Sequence, residues 1–343
     1  MQRKRRCSRT ADWVTTIRTD ETPQTYDGLI LEAGRGQYLV QTTDGAKVRC
    51  KLRGNLKKRL TFTETANHSR RVEKVKKLQE TDPCAVGDRV AIAIDFTSSE
   101  GVIEHVYERR GILARQSGNE RERQTLVANL ELAVIVFAVA EPRLDPYKLD
   151  RFLVLAEDND LECVIVINKC DLPPDSDIDA YCTLYEKIGY TVIRTSKRTG
   201  EGIEDLRAAL SGRISALCGP SGVGKSSLLN CLQPGLALKI GVTGDVTHAG
   251  RHTTVRASLL PLECGGWVAD TPGLRQVEFW DLPPDDIAWC FPEMSPYVND
   301  CRFANCRHDS EPGCAIKAQL ASGKLSEHRY ASYLSMIAPK PQS

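Results

Sequence analysis

No apolar run in this 343-residue sequence is long enough to span a membrane. The longest, Leu132 to Ala140, reads as a central β-strand. A basic start, Met1 to Thr10, has no apolar segment behind it, so it is not a secretory signal and reads as part of a flexible tail over residues 1–23. Internal repeats and low-complexity tracts are also missing. With export excluded, the 13 cysteines argue for thiols and metal rather than disulfides. Net charge is scarce as well, +1 in total, but residues 1–77 hold 19 basic and 8 acidic side chains. That segment carries +11 and the remainder about −10, so its N-terminal part alone has the electrostatics of a nucleic-acid binder. What is present supports real cores: 41% hydrophobic residues and length for two or three domains.

Gly219-Pro220-Ser221-Gly222-Val223-Gly224-Lys225-Ser226 is a complete phosphate-binding loop. Its glycines let successive N–H groups point into one concavity. Lys225 can reach β- and γ-phosphates, and Ser226, followed by Ser227, can ligate Mg²⁺. Ile214 to Cys218 reads as the buried strand entering the loop. Ser226 to Leu232 reads as the helix leaving it, with its positive end toward the phosphates.

The base-reading candidate lies before this loop. Asn168-Lys169-Cys170-Asp171 follows the apolar run Cys163 to Ile167, a pattern of buried parallel strands. A carboxylate at Asp171 can accept from guanine N1–H and N2–H₂, donors that adenine does not present there. That opposes an ATP-using kinase. Asn168 can tie neighbouring loops together, and the Lys169 stem can cover the base. Thr195-Ser196, after the strand Tyr190 to Arg194 and before a helix at Ile203 to Leu210, is a candidate clamp on guanine O6.

After the phosphate loop, Asp270-Thr271-Pro272-Gly273 closes a short apolar run. Asp270 can hold the Mg²⁺ water shell, and the Gly273 N–H can meet the γ-phosphate. Gly241 to Thr254 reads as a switch loop in which either Thr253 or Thr254 supplies a second Mg²⁺ hydroxyl. Leu274 stands where small GTPases often place a water-orienting Gln. His252 is therefore the first catalytic candidate and His248 the second, against the bland reading of exposed loop histidines.

Five short strands between Tyr26 and about Arg110 (28–32, 38–42, 47–53, 86–92 and 101–106) suggest a small barrel. Lys51, Arg53, Lys57, Lys58 and Arg59 form its densest basic cluster, an RNA-phosphate contact or simply a solvated face. Near the other end, Cys301-x₄-Cys306-x-His308-x₅-Cys314 offers a full Cys₃His set for one structural Zn²⁺. Ala315 to Leu320 and Ser326 to Ile337 read as helices beyond it.

With the order N-K-x-D, T-S, phosphate loop, G-R-H-T-T, D-T-P-G-L, the sequence resembles the circularly permuted ribosome-associated GTPases, specifically the ribosome small-subunit-dependent GTPase A family. One departure is Val255, where many relatives carry a third threonine. The resemblance implies a multidomain α/β protein: an OB-type barrel over 24–112, a permuted P-loop GTPase domain over 113–285 with a mostly parallel sheet and helices on both faces, and a zinc knuckle with helices over 286–343. It also implies GTP hydrolysis stimulated by the small ribosomal subunit, in late maturation of that subunit through rRNA contacts. The alternative is a GTP-gated rRNA-binding scaffold in which turnover is secondary. A cytoplasmic monomer is expected, with no membrane partner.

Overall fold

A computed structural model describes residues 25–34, 36–53, 79–80, 83–95, 100–116, 122–174, 177–236, 258–270 and 282–338. β1 (Thr25–Gly34), β2 (Gln37–Thr42) and β3 (Lys47–Leu52) form an antiparallel meander. The two-residue β4 (Gln79–Glu80) precedes the hairpin of β5 (Arg89–Asp95) and β6 (Glu100–Val106). β6 runs parallel to β3 and β5 pairs back onto β1, so the five long strands close in the order β1-β2-β3-β6-β5. Alternation along each strand turns Ile30, Val40, Val90, Ile92 and Ile103 into the barrel, all with no exposed surface.

The barrel's fourth long strand starts later than its apolar pattern suggests, at Arg89 rather than Val86. Gly87 is left-handed, with φ +88°, and a side chain there would overlap the Ala128 carbonyl. The Asp88 carboxylate accepts the Ala85 N–H at 2.7 Å and pairs with Arg109. The backbone here still meets β1, the Gly87 N–H donating to the Ile30 carbonyl and the Asp88 carbonyl accepting the Ile30 N–H, each at 2.9 Å, but the left-handed turn interrupts the extended strand.

β7 (Ile112–Gln116) and β8 (Glu122–Ala128) form a hairpin, and β4 joins it in a separate three-stranded sheet. The expected boundary near residue 112 is thus bridged by a hairpin that borrows a strand from the barrel half.

Beyond it, strands and helices alternate: β9 (Leu132–Ala138), α1 (Pro146–Asp158), β10 (Glu162–Asn168), α2 (Ile178–Ile188), β11 (Thr191–Arg194), α3 (Ile203–Leu210), β12 (Ile214–Cys218) and α4 (Lys225–Leu232). The hairpin β13 (Ser258–Pro261) and β14 (Trp267–Asp270) completes the sheet. Strand order is β11-β10-β9-β12-β14-β13, parallel except for β13. Every residue of β9 is buried, as the uninterrupted apolar run requires of a central strand. Its alternate side chains feed two cores. Ala133, Ile135 and Phe137 meet α1 and α2, whereas Leu132, Val134 and Val136 meet α3 and α4. Asp145 caps α1 by accepting the Lys148 N–H, and Asp177 caps α2 through the Ala180 N–H, both at 3.1 Å.

Barrel and sheet are not merely adjacent. β1 pairs antiparallel with β13, Glu32 opposite Ser258, and makes one continuous eleven-stranded sheet. The C-terminal part contains α5 (Pro284–Ile287), α6 (Ala315–Ala321) and α7 (Glu327–Ile337), packed with Phe291, Met294, Ile316 and Tyr333 against Val154 of α1. Arg329 of α7, fully buried, lies 2.6 Å from Asp150 of α1 and 2.6 Å from Glu293. Its guanidinium stands 4.4 Å from the Phe291 ring centroid. Asp150 also accepts the Tyr185 hydroxyl of α2 at 2.7 Å.

Candidate nucleotide and metal sites

Parallel strands present their carboxyl ends to one side of the sheet, and ligands of open α/β sheets bind there. β10 ends at Asn168 and β12 at Cys218, with β9 between them. Motifs reversed in the chain therefore arrive at one edge. Gly219 (φ +133°) crosses so closely over β9 that a Cβ would overlap the Val136 carbonyl. Gly224 (φ +97°) leads into α4, placing Lys225, Ser226 and Ser227 in the first helical turn. Val223 is buried and anchors the loop, while Ser221 and Gly222 are exposed at its tip and Pro220 is half-buried. The Lys225 ammonium donates to the Gly219 and Pro220 carbonyls, each at 2.6 Å. It is thus held over the concavity where phosphate oxygens would compete for it.

Asn168 is 2% exposed, and its amide is spent on neighbouring loops. Nδ2 donates to the Val223 carbonyl at 2.8 Å, and Oδ1 accepts the Thr195 hydroxyl at 3.0 Å. One side chain thereby joins the N-K-x-D, T-S and phosphate loops. Lys169, at φ +62°, turns its ammonium onto the Glu141 carbonyl. Asp171 accepts the Ser196 hydroxyl at 2.6 Å, and Arg198 Nε lies 3.2 Å from its other oxygen. The Ser196 hydrogen bond, more than the Arg198 charge, holds the Asp171 carboxyl below the ordinary carboxylate range. At neutral pH the group is an acceptor only, the form that guanine donors need.

A cavity of about 380 Å³ opens among Asn168, Lys169, Asp171, Lys197, Arg198 and Gly224. That lies within the range of small-ligand sites. Lys197 and Arg198 were not singled out from the sequence. Their position directly after Thr195-Ser196 was the available signal, since the residues following a clamp turn share its rim. Asp270 ends β14, next to β12. His248, His252, Thr253, Thr254, Gly273 and Leu274 lie outside the described residues.

The RsgA GTPase family model matches residues 106–280, just over half of the chain. The chain belongs to the RsgA GTPase family. It is a GTP-hydrolysing enzyme. Its relatives include the small ribosomal subunit biogenesis GTPases RsgA of Gemmatimonas aurantiaca, 42% identical over 90% of this chain and 95% of that protein, and of Moorella thermoacetica, 41% identical over 91% and 96%. Among solved structures, YjeQ from Thermotoga maritima superposes with a TM-score of 0.71 at 33% identity, covering 92% of this chain and 98% of that one. YloQ, a circularly permuted GTPase, gives 0.67 at 29% identity, covering 93% and 96%. RsgA-type permutation thus accounts for the order of the motifs, and the topology shows why it costs no geometry.

Within this RsgA chain the C-terminal cysteines converge. One ligand atom each from Cys301, Cys306, His308 and Cys314 lies within 4.8 Å of the others. Cys301 Sγ is 3.9 Å from Cys314 Sγ, and the two sulfurs are 3.3 and 3.5 Å from His308 Nδ1. A tetrahedral zinc with ordinary Zn–S and Zn–N bonds requires about 3.8 Å between sulfurs and about 3.6 Å from sulfur to nitrogen. The donor set and spacing therefore fit one metal ion. The shell is fixed from outside: the Ala315 N–H donates to Cys301 Sγ, and the Tyr330 and Tyr333 hydroxyls hold the His308 and Arg307 carbonyls, both at 2.7 Å.

The basic cluster on the barrel is less free than its sequence suggests. Lys51 is 2.7 Å from Glu100, and Arg53 pairs with Glu104. Both acids lie on β6, the parallel neighbour of β3. Lys57, Lys58 and Arg59 lie outside the described residues.

Proposed function

We propose that this GTPase is a nucleotide-state switch in late maturation of the small ribosomal subunit, and that the subunit stimulates its hydrolysis. The single observation that carries the mechanism is the Asn168 amide, which bridges the base-reading, clamp and phosphate loops. Base recognition and phosphate position are therefore set by one rigid frame. Asp171 selects guanine, Lys225 neutralises β- and γ-phosphate charge, and the loop N–H groups cradle the phosphates. Ser226, Asp270 and either Thr253 or Thr254 would hold Mg²⁺, which when bound supplies charge neutralisation between the phosphates. Gly273 would report the γ-phosphate. With Leu274 unable to orient water, His252 is the proposed catalytic residue, and ordering of its loop by the subunit is the proposed source of stimulation.

The names of the relatives supply the ribosomal target, and the five-stranded barrel, read as an oligonucleotide-binding fold, supplies an rRNA-facing surface through Lys51, Arg53, Lys57, Lys58 and Arg59. The Cys₃His cluster is read as one structural zinc. Steady-state GTP hydrolysis with and without purified small subunits tests the reading. A rise approaching the roughly 10³–10⁵-fold of partner-assisted GTPases supports it. GTP-dependent subunit binding with no rise in turnover would replace it with the scaffold reading.

A further inference from the structure

A second cavity, of about 500 Å³, lies where the barrel meets the GTPase sheet. Asp27, Arg89 and Tyr107 line it from the barrel, and Glu131, Gly212 and Trp267 from the GTPase side. Trp267 begins β14, and Asp270 ends it, so the cavity is at the opposite end of that strand from the nucleotide edge. Domain seams of this size are common places for ligands.

Its chemistry narrows the occupant. Tyr107 is 40% exposed despite its ring, and Trp267 is half-buried. The Arg89 side chain is exposed and has no hydrogen bond or ion pair among the described residues. Asp27 accepts the Tyr107 hydroxyl through Oδ1 at 2.7 Å, and Glu131 accepts the Ile214 N–H through Oε2 at 2.9 Å. The second oxygen of each makes no hydrogen bond among the described residues. Gly212 (φ +74°) leaves open space where a side chain would stand.

Two carboxylates disfavour a phosphate group inside the cavity, and the guanidinium disfavours a lone cation. A purely apolar ligand would desolvate all three charges without partners. A neutral, flat heterocycle with an exocyclic amino group suits this lining: a face can lie against Tyr107 or Trp267, and the amino group's two N–H can donate to a carboxylate. Arg89, at the exposed rim, is left for the chain's backbone phosphate or for stacking.

We propose that this seam receives one unpaired RNA base carrying an exocyclic amino group, cytosine, adenine or guanine in preference to uracil. The choice of RNA as the polymer rests on the ribosomal reading above. A base seated there would brace β1 and β14 together. Since β1 is hydrogen-bonded to β13, the partner of β14, RNA occupancy would stiffen the strand that delivers Asp270.

The test uses the full-length chain with Trp13, Trp280 and Trp289 replaced by Phe, leaving Trp267 as the reporter. Its fluorescence is titrated with single-stranded RNA octamers of cytidine, adenosine and uridine. Saturable quenching by the first two, at least fivefold weaker with uridine, is expected. Tyr107→Ala and Arg89→Ala should each weaken binding, Tyr107→Ala by about 5- to 150-fold, the range for loss of one base stack. Circular dichroism and GDP affinity monitor folding, and Tyr107→Phe, which keeps the ring, should bind near the parent level. No quenching by any octamer, or quenching unchanged in Tyr107→Ala, overturns the proposal. Subunit-stimulated hydrolysis is measured on the same proteins. Stimulation without quenching removes only the seam site, and quenching without stimulation removes only the subunit-switch reading.

Discussion

The Asn168 amide occupies the space that a side chain at position 224 would need. A Cβ on Gly224 would overlap Asn168 Nδ2, the same nitrogen that donates to the Val223 carbonyl at 2.8 Å. The loops proposed to read the base and to hold the phosphates are mutually fitted at this contact. Gly224→Ala must therefore displace Asn168 and also strain a left-handed backbone, which costs about 1–2 kcal/mol on its own. GDP affinity should fall at least about 10-fold, since each 1.4 kcal/mol is a factor of ten. Fluorescent-nucleotide titration measures it, and an unchanged Kd would show that the contact does not constrain the site.

Asp171→Asn converts one acceptor oxygen into a donor. Guanine N1–H and N2–H₂ would then meet an N–H₂ group, whereas xanthine offers a carbonyl at that edge. GTP turnover should drop by at least about 100-fold, within the discrimination such buried hydrogen bonds support, and XTP turnover should rise. Competition between the two nucleotides reads the outcome, and retention of GTP preference would reject Asp171 as the base reader.

Loss of Arg329 would leave Asp150 and Glu293 facing each other's side of a buried site with no cation between them. Arg329→Ala should destabilise the docking of the C-terminal part by about 3–5 kcal/mol, the usual cost of orphaning a buried ion. Hydrogen exchange in α1 and α7 should accelerate together. If only α7 loosens, the network does not join the two parts.

The same network sets an acid sensitivity. Burial by itself would raise the Asp150 pKa, but His328, 3.1 Å from Oδ2, and the Arg329 charge hold it below the ordinary carboxylate value. Its stabilising contribution is fully present above that value and is lost as pH falls through the lower folded-state pKa. Thermal unfolding followed from pH 7 to pH 3 should show a steeper acid loss in the parent than in Asp150→Asn. Parallel curves would assign the acid loss to other carboxylates.

Removal of metal should act locally. Strong chelation, or Cys314→Ser, should abolish bound zinc, measured as metal per chain, and unfold 295–315 while GDP affinity stays within about twofold. Metal-linked folding in such small sites is worth of order 10 kcal/mol. A folded knuckle with no metal in either protein would make the cluster a set of reduced core thiols.

The gathering of the candidate nucleotide-site motifs at one edge was legible because phosphate and base contacts depend on short spacings that survive permutation. Gly219 to Ser226 and Asn168 to Asp171 needed no tertiary information, and α3 starts and stops at the residues its pattern indicates. Val86 to Asp88 misled because their apolar and charged alternation imitates a strand, whereas a left-handed Gly87 and the Asp88 carboxylate make a turn. The β7–β8 hairpin was hidden by its Arg, Gln and Glu content, which carries little apolar alternation. Lys51 and Arg53 looked like free cations because their glutamate partners are 49 and 51 residues away. The Arg329 network was illegible for the same reason: 179 residues separate it from Asp150.

The single ladder between Glu32 and Ser258 also changes what the barrel is for. β1 meets β13 at this one pair, so without β1 the backbone of Ser258, the first residue of a four-residue strand, would lose its partner on that side. Unpaired strand edges recruit other chains. The barrel is thus also a cap on the start of an edge strand of the GTPase sheet, and a barrel-deleted enzyme should self-associate more readily at unchanged affinity for its nucleotide.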